Sequence, residues 1–132
     1  MKVLFVCSEN AHRSPLAEAL LKKLRQDIEV DSAGIHTAIS IAEKIKKYLA
    51  KKNCDQYLKK APESLNAKRL DEYYLIVVME QRHKDYVLSK YPECEDKIAI
   101  WNIADPYFMP NEDAERIYQQ IGEKVKELAR SL

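Results

Sequence analysis

The feature that most constrains the fold is an unbroken apolar run near the amino terminus, Val3-Leu4-Phe5-Val6-Cys7, which stops at a polar stretch. A strand with one face in water alternates apolar and polar residues, and this run does not, so residues 2–7 are predicted to form a strand buried on both faces. Ser14-Pro15 then places a good N-cap residue before a proline at the first helical position, and leucines follow at helical spacing. The segment therefore predicts a strand, a tight polar loop and a helix capped by Ser14.

Similar patterns recur along the chain and predict the fold class. Further strands are predicted at residues 28–32, 73–79 and 97–101, and the run at 73–79 is the strongest strand signal and is expected at the centre of the sheet. Helical patterns cover residues 39–52, 82–89 and the stretch after 111, and a shorter helix is compatible with residues 62–70. Alternating strands and helices predict a doubly wound α/β fold, a parallel sheet with helices on both faces.

In such a sheet, ligands bind in the loops beyond the carboxyl ends of the strands. These loops are predicted at residues 7–14, 35–40, 80–84 and 102–111. They are expected to share one rim although they are far apart in sequence.

Length and charge narrow the classes of function. The 132 residues fit one domain, and 22 Lys and Arg against 21 Asp and Glu leave no global field that would favour nucleic acid or an anionic membrane. The apolar run at the start is too short for a signal peptide and no run approaches membrane-spanning length, so we expect a cytoplasmic monomer.

The cysteine and glycine counts exclude several kinds of site. Three widely spaced cysteines form neither a disulfide framework nor a C-x-x-C zinc motif, which favours a reducing compartment. Only two glycines are present, so the P-loop of NTPases and the G-x-G-x-x-G motif are both missing. A phosphate site in this chain needs another kind of loop.

The loop after the first strand has the spacing of such a site, because five residues separate Cys7 from Arg13. A tight loop of this length turns its N–H groups inward, the following helix adds partial positive charge, and Arg13 offers paired donors to two phosphoryl oxygens. The same surroundings stabilise a cysteine thiolate, so Cys7 is predicted to be a nucleophile. The other residues predicted to form the phosphate-binding loop are Ser8, Glu9, Asn10, Ala11, His12 and Ser14.

The conformation of this loop gives two further expectations. Its curvature calls for a residue with positive φ, and because it contains no glycine, Asn10 is the best candidate. The hydroxyl of Ser14 is placed either to cap the helix or to donate to the Cys7 sulfur.

A displacement at phosphorus also needs an acid for the leaving oxygen. Asp105 lies on the rim after the fourth strand and is predicted to be this general acid. Tyr107 and Phe108, beside it, are predicted to form walls for a flat phenolic substrate.

These residues resemble the low-molecular-weight protein tyrosine phosphatases, whose loop pattern is V-C-x-x-N-x-x-R-S-P and whose acid lies in a late Asp-Pro-Tyr. The first pattern stands here as Val6-Cys7, Asn10 and Arg13-Ser14-Pro15, and the second as Asp105-Pro106-Tyr107. The likeness continues through Asp31-Ser32-Ala33-Gly34, Met79 and the closing helix.

The resemblance implies strand order 2-1-3-4, a phosphocysteine on Cys7, a phosphoryl group held by Arg13, and Asp105 acting as acid and then as base. It implies hydrolysis of phosphotyrosine in proteins, or of small aryl phosphates, with no metal and no cofactor.

Three positions depart from the family pattern. The family commonly has Gly where Glu9 stands, a second Cys where His12 stands, and Asp where Glu80 stands. A carboxylate facing a phosphate repels it, so the Glu9 side chain is expected to point outward. His12 is expected to be an outward polar residue, and it removes a thiol that could trap the oxidised nucleophile.

Three alternatives remain open. A thioredoxin-coupled arsenate reductase resembles this family but needs two closely spaced further cysteines, and Cys54 and Cys94 are far apart. A phosphoarginine phosphatase is distinguished in similar proteins by a threonine where this chain has Ala11. A non-catalytic phosphopeptide-binding module keeps the loop without turnover, and the presence of Cys7 and Asp105 argues against it.

The remaining candidates are interpreted as structural. Cys54 and Cys94 are expected to be packing or exposed thiols, and His36 and His83 to be rim or surface residues. A lysine-rich stretch is interpreted as a solvated helix face; it comprises Lys44, Lys46, Lys47, Lys51, Lys52, Lys59 and Lys60.

Overall fold

The computed structural model describes all 132 residues and alternates strands with helices. The elements are β1 (Lys2–Cys7), α1 (Arg13–Leu24), β2 (Glu29–Gly34), α2 (Glu43–Lys51), β3 (Leu75–Val78), α3 (Gln81–Lys90), β4 (Ile98–Ile100) and α4 (Asn111–Ser131). None of the helices combines the length and the apolar character needed to cross a bilayer.

The four strands form one parallel sheet in the order β2-β1-β3-β4, which confirms the predicted fold class and strand order. β1 pairs along its length with β2, from Lys2 opposite Glu29 to Cys7 opposite Gly34. Its other edge pairs with β3, so β3 shares the centre of the sheet with β1. Order reverses beside β1, and the loop after β1 therefore lies where such sheets bind ligands.

Side chains of β1 alternate between two apolar clusters, one on each face of the sheet. Val3, Phe5 and Cys7 belong to a cluster with residues of α1, α2 and α4. Leu4 and Val6 belong to a second cluster, which includes residues of β3 and α3. Burying an aliphatic or aromatic side chain of this size contributes about 1.5–3 kcal/mol, so the loop after β1 starts from a firmly held strand.

The helix boundaries differ from the predictions in two places. α1 begins at Arg13, so the residue before it is His12, and the predicted Ser14 cap is wrong because Ser14 already lies in the first turn. α2 begins at Glu43 instead of residue 39. Backbone hydrogen bonds from Ala38 N–H to the Glu9 carbonyl and from Ala42 N–H to the Ala11 carbonyl hold this stretch against the loop after β1.

The helix considered for residues 62–70 is also wrong. Two separate 3₁₀ turns, Leu65–Ala67 and Leu70–Glu72, occupy this stretch. β1 has its predicted ends, the ends of the other strands differ from the predictions by one or two residues, and β3 is the most shortened, at Leu75–Val78.

Candidate active site

Residues 8–12 join β1 to α1 and form a tight loop, here called the cradle loop. Its carbonyl groups point toward the segment after β2: those of Ser8, Glu9 and Ala11 accept hydrogen bonds from the backbone N–H groups of His36, Ala38 and Ala42. The N–H groups of residues 8–12, in contrast, donate to no acceptor within the protein. The loop therefore has its acceptors bonded on one side and its donors free on the other, which is the arrangement of an anion site.

Asn10 produces this curvature, with φ of 55°, as the sequence predicted. Its side chain is buried and all of its hydrogen-bonding capacity is used. The Nδ2 group donates to the hydroxyls of Ser14 and Ser32, each at 2.9 Å. The Oδ1 atom accepts from Lys59 Nζ and from the Glu63 N–H, each at 2.8 Å. Four side-chain hydrogen bonds thus hold Asn10 in its left-handed backbone conformation.

Cys7 ends β1 and its side chain is almost fully buried at the base of the loop. Ser14 Oγ lies 2.9 Å from Cys7 Sγ. Because Asn10 already donates to the Ser14 oxygen, the Ser14 hydroxyl hydrogen is free to point at the sulfur. Of the two predicted roles for Ser14, the structure therefore supports the contact with Cys7.

Arg13 is buried in the first turn of α1, and its Nη1 group is held from two sides. Nη1 donates to Glu80 Oε2 at 2.5 Å and to the Ile103 carbonyl at 2.7 Å. Partial burial of Glu80 raises the pKa of its carboxyl group, but the hydrogen bonds from Arg82 and Arg13 outweigh it and lower this pKa to about 2. Glu80 is therefore a permanent anion that anchors Arg13. Nη2 lies 3.3 Å from Ser8 Oγ, so Nε and the second hydrogen of Nη2 remain for other acceptors.

Asp105 lies beside this guanidinium, with Oδ2 3.8 Å from Arg13 Nη2. Its other oxygen accepts a hydrogen bond from the Tyr107 N–H at 3.0 Å, which fixes the carboxylate within its turn. Tyr107 lines the same pocket as Cys7, Arg13 and Asp105. Phe108 is 93% exposed and packs edge-on against Tyr107, with ring centroids 4.6 Å apart.

Two residues of the cradle loop bring side chains to the mouth of the pocket. Glu9 is exposed and lines the mouth of the pocket. His12 does not point outward as expected, because its Nε2 lies 3.1 Å from the Tyr118 hydroxyl and its ring stacks on that tyrosine. Burial lowers the pKa of His12, so it is neutral at pH 7. His12 thus ties the cradle loop to α4, where the sequence indicated only a solvated position.

The remaining predicted residues of the pocket wall are Ser8 and Ala11, and both line it. The predicted rim is also present, because residues from four loops meet: the segment after β2 bonds to the cradle loop, Glu80 bonds to Arg13, and Ile103 and Asp105 adjoin Arg13. The structure thus brings Cys7, Arg13, Asp105 and Tyr107 together at one pocket, whereas Phe108 lies outside the pocket lining.

Of the two histidines expected at the rim or the surface, His36 is exposed, and His83 lies at the rim but is fully buried, with Nε2 3.0 Å from Ser8 Oγ. Lys59 is not on a solvated helix face, because its side chain is 7% exposed and its ammonium bonds to Asn10 Oδ1 behind the cradle loop. No local pattern marks His83 or Lys59, since both are buried by segments distant in sequence.

The other two cysteines are buried in separate clusters, Cys54 with the cluster that contains Cys7 and Cys94 with the cluster on the opposite face. Burial raises the pKa of both thiols. Cys54 also lines a groove between α1, α2 and α4, where its neighbours are mostly aliphatic, lysine and tyrosine side chains. A cysteine, an arginine and a carboxylate lie together only at the cradle loop.

Comparison with known proteins gives consistent matches over the whole chain. The family model described as low molecular weight phosphotyrosine protein phosphatase matches residues 2–132. The low molecular weight protein-tyrosine-phosphatase Wzb of Salmonella typhi is 29% identical over 139 residues, covering 99% of this chain and 93% of that protein.

A protein-arginine-phosphatase of Geobacillus stearothermophilus is 28% identical over 141 residues, covering 99% of this chain and 95% of that protein. Among solved structures, Vibrio vulnificus Wzb in complex with benzylphosphonate superposes with a TM-score of 0.88 at 29% identity, covering 99% of this chain and 98% of that one.

Proposed function

The chain belongs to the low molecular weight phosphotyrosine protein phosphatase family, and from this premise we propose that it hydrolyses phosphotyrosine in proteins, and small aryl phosphates, through a phosphocysteine on Cys7. The observation that carries the proposal is the cradle loop itself. Its N–H groups have no acceptor in the protein, and they surround a pocket that holds Cys7 and Arg13. The benzylphosphonate bound by the Vibrio relative is a phosphonate that carries an aromatic ring, which supports an aromatic phosphate monoester as substrate.

In the first step the Cys7 thiolate attacks phosphorus, and the sulfur–phosphorus bond forms as the bond to the tyrosine oxygen breaks. The Ser14 hydroxyl stabilises the thiolate. The phosphoryl oxygens accept from the cradle-loop amides and from Nε and Nη2 of Arg13, since Nη1 is engaged by Glu80 and the Ile103 carbonyl. Donors fixed in place before the reaction stabilise the transition state without reorganising. The leaving oxygen takes its proton from Asp105.

In the second step water attacks the phosphocysteine and transfers a proton to the Asp105 carboxylate. The sulfur leaves as thiolate and inorganic phosphate is released, so Asp105 is again protonated for the next cycle. The positive charge needed at phosphorus comes from Arg13, the amides and the start of α1, and we infer that the reaction requires no metal.

A phosphoarginine phosphatase is the second candidate, because the Geobacillus relative bears that name at an identity close to that of the Wzb proteins. Ala11 lines the pocket and supplies no hydroxyl to an arginine-derived leaving group. We therefore favour the tyrosine ester. A thioredoxin-coupled arsenate reductase is less favoured, since Cys94 lies on the opposite face of the sheet from Cys7.

The same observations bear on the oligomeric state and the cellular compartment of the protein. We infer that residues 1–132 act as one monomeric domain with one site. All three cysteines are free, and a thiolate nucleophile needs a reducing compartment, which supports a cytoplasmic location.

The test is hydrolysis of p-nitrophenyl phosphate and of matched phosphotyrosine and phosphoarginine peptides, with a chelator present. We expect the wild type to release phosphate from the aryl esters and Cys7→Ser to be inactive. Cys94→Ala is the matched control, because it removes a buried thiol from the other face of the sheet. Full activity in Cys7→Ser, or activity that a chelator abolishes and added zinc or magnesium restores, would contradict the mechanism.

A further inference from the structure

Ser8 presents a hydroxyl group that the mechanism above does not use. Its oxygen has three neighbours: Arg82 Nη2 at 2.7 Å, His83 Nε2 at 3.0 Å and Arg13 Nη2 at 3.3 Å. Both arginine groups are donors only. Whether the hydroxyl donates or accepts within the protein therefore depends on the tautomer of His83.

The surroundings of His83 fix that tautomer. Nδ1 lies 3.1 Å from the Glu80 N–H and accepts from it, so Nδ1 carries no hydrogen. Burial, together with the charges of Arg13 and Arg82, lowers the pKa of His83 to about 4. The ring is thus neutral at pH 7 and carries its one hydrogen on Nε2, which donates to Ser8. All three neighbours of the Ser8 oxygen are donors, and its hydroxyl hydrogen has no acceptor among them.

Arg82 adds a cation at the same point. Its side chain is 57% exposed at the mouth, held by Glu80 through Nε and Nη2 and by Ser8 through Nη2, while Nη1 makes no hydrogen bond within the protein. Arg82 and Arg13 face the carboxylates of Glu80 and Asp105, so the charges at this side of the mouth are balanced, and what remains on offer is the unbonded Nη1 group of Arg82. Glu9 also lines the pocket; its side chain is exposed, and its carbonyl bonds to the N–H group of Ala38.

We propose that Ser8 and Arg82 form a specificity subsite for a substrate carboxylate, selecting phosphotyrosines that have an acidic residue next to them in sequence. This inference rests on the proposed phosphatase activity. Ser8 O–H and Arg82 Nη1 are the donors, and a carboxylate accepts from both without displacing Glu80. His83 and Glu80 are positioning residues, because they orient the two donors and do not contact the substrate.

The experiment compares kcat/KM for phosphotyrosine peptides that differ only by Asp or Asn immediately before, or immediately after, the phosphotyrosine. We expect the wild type to prefer Asp by about fivefold at one of these positions, the scale of a half-exposed ion pair. The preference is expected to fall below twofold in Arg82→Gln and to weaken in Ser8→Ala. Lys90→Gln, which removes an equal charge from the far end of α3, is expected to retain it.

The ratio within each variant is insensitive to loss of folded protein. Equal rates on Asp and Asn peptides in the wild type, or a preference that survives Arg82→Gln, would overturn the subsite while leaving the phosphatase activity intact. Absence of hydrolysis of every peptide and of p-nitrophenyl phosphate would instead reject the proposed function.

Discussion

The two sides of the cradle loop differ in how completely their hydrogen bonds are made. On the back, the side chain of Asn10 has two donors and two acceptors and uses all four. Ser32 continues this network by donating to Glu18, which is buried and paired with Lys22. On the front, the N–H groups of residues 8–12 have no acceptor in the protein.

This contrast explains how the loop keeps unpaired N–H groups without rearranging to bond them internally. Unpaired N–H groups would be satisfied by any rearrangement that brought a carbonyl within reach. The back network prevents this by fixing Asn10 at positive φ and by engaging the loop carbonyls with the segment after β2. We infer that back residues act through stability and loop geometry, whereas front residues act through the reaction.

The largest effect is expected on the front, at Arg13. Arg13→Lys keeps a positive charge but cannot grip two phosphoryl oxygens in a plane, so kcat for p-nitrophenyl phosphate should fall about 10³-fold. Thermal unfolding should change much less than activity. Arg25→Lys is the matched control, because Arg25 also bonds to carbonyls and a carboxylate but lies far from the site. A near-normal kcat in Arg13→Lys would contradict the inference that front residues act through the reaction.

The second front prediction concerns Asp105. Asp105→Asn removes the proposed acid, so phosphorylation of Cys7 by phosphotyrosine should slow about 10²-fold or more, whereas p-nitrophenolate leaves with little help and should be affected far less. Burst kinetics isolate this step from hydrolysis of the phosphocysteine. Asp113→Asn, in the exposed first turn of α4, is the control.

Equal losses on the two substrates in Asp105→Asn would show that another group is the acid. Glu80 is excluded from that role, because its pKa of about 2 and its arginine partners keep it ionised. Glu112 would then be the next carboxylate to test.

The front of the loop was far more predictable from sequence than the back. Cys7 and Arg13 lie in one short motif, and because the carboxyl ends of parallel strands meet at one rim, Asp105 was expected to join them from the loop after the fourth strand. Lys59 reaches Asn10 from a distant segment, and the start of α2 is set by backbone bonds to the cradle loop. Local periodicity carries no information about such contacts, which depend on the assembled fold.

A third prediction tests the close contact between Gly34 of β2 and the back of the cradle loop. A Cβ on Gly34 would lie 2.2 Å from the His36 carbonyl oxygen and 2.7 Å from Asn10 N, both backbone atoms that cannot move aside separately. Gly34→Ala should therefore destabilise the fold by about 1–3 kcal/mol and lower kcat through the displaced loop. Denaturant unfolding and p-nitrophenyl phosphate turnover measure the two effects.

Gly122→Ala is a control that should change the stability of the fold in the opposite direction. A Cβ there meets nothing within 4 Å, and the residue lies inside α4. Gly122→Ala should stabilise the fold by about 0.5–1 kcal/mol and leave kcat unchanged. If Gly34→Ala proved as stable and as active as Gly122→Ala, the tight contact between β2 and the cradle loop would not be needed.

The smallest effect is expected at Lys59, the back residue with the fewest local sequence signals. Its ammonium bonds to Asn10 Oδ1 and the Ser32 carbonyl at 2.8 Å, and it pairs with Glu63 at 2.8 Å. Lys59→Met keeps the length of the side chain but leaves these acceptors with one donor fewer, so stability should fall by about 1–2 kcal/mol. Asn10 keeps its other three bonds, and the loop should therefore stay closed in most molecules, with kcat reduced only a few-fold. Lys60→Met removes the same charge from an exposed neighbour and should change neither quantity. If Lys59→Met lowered kcat as much as Arg13→Lys without destabilising the fold, Lys59 would act on the reaction itself, and the separation of the two sides of the loop would fail.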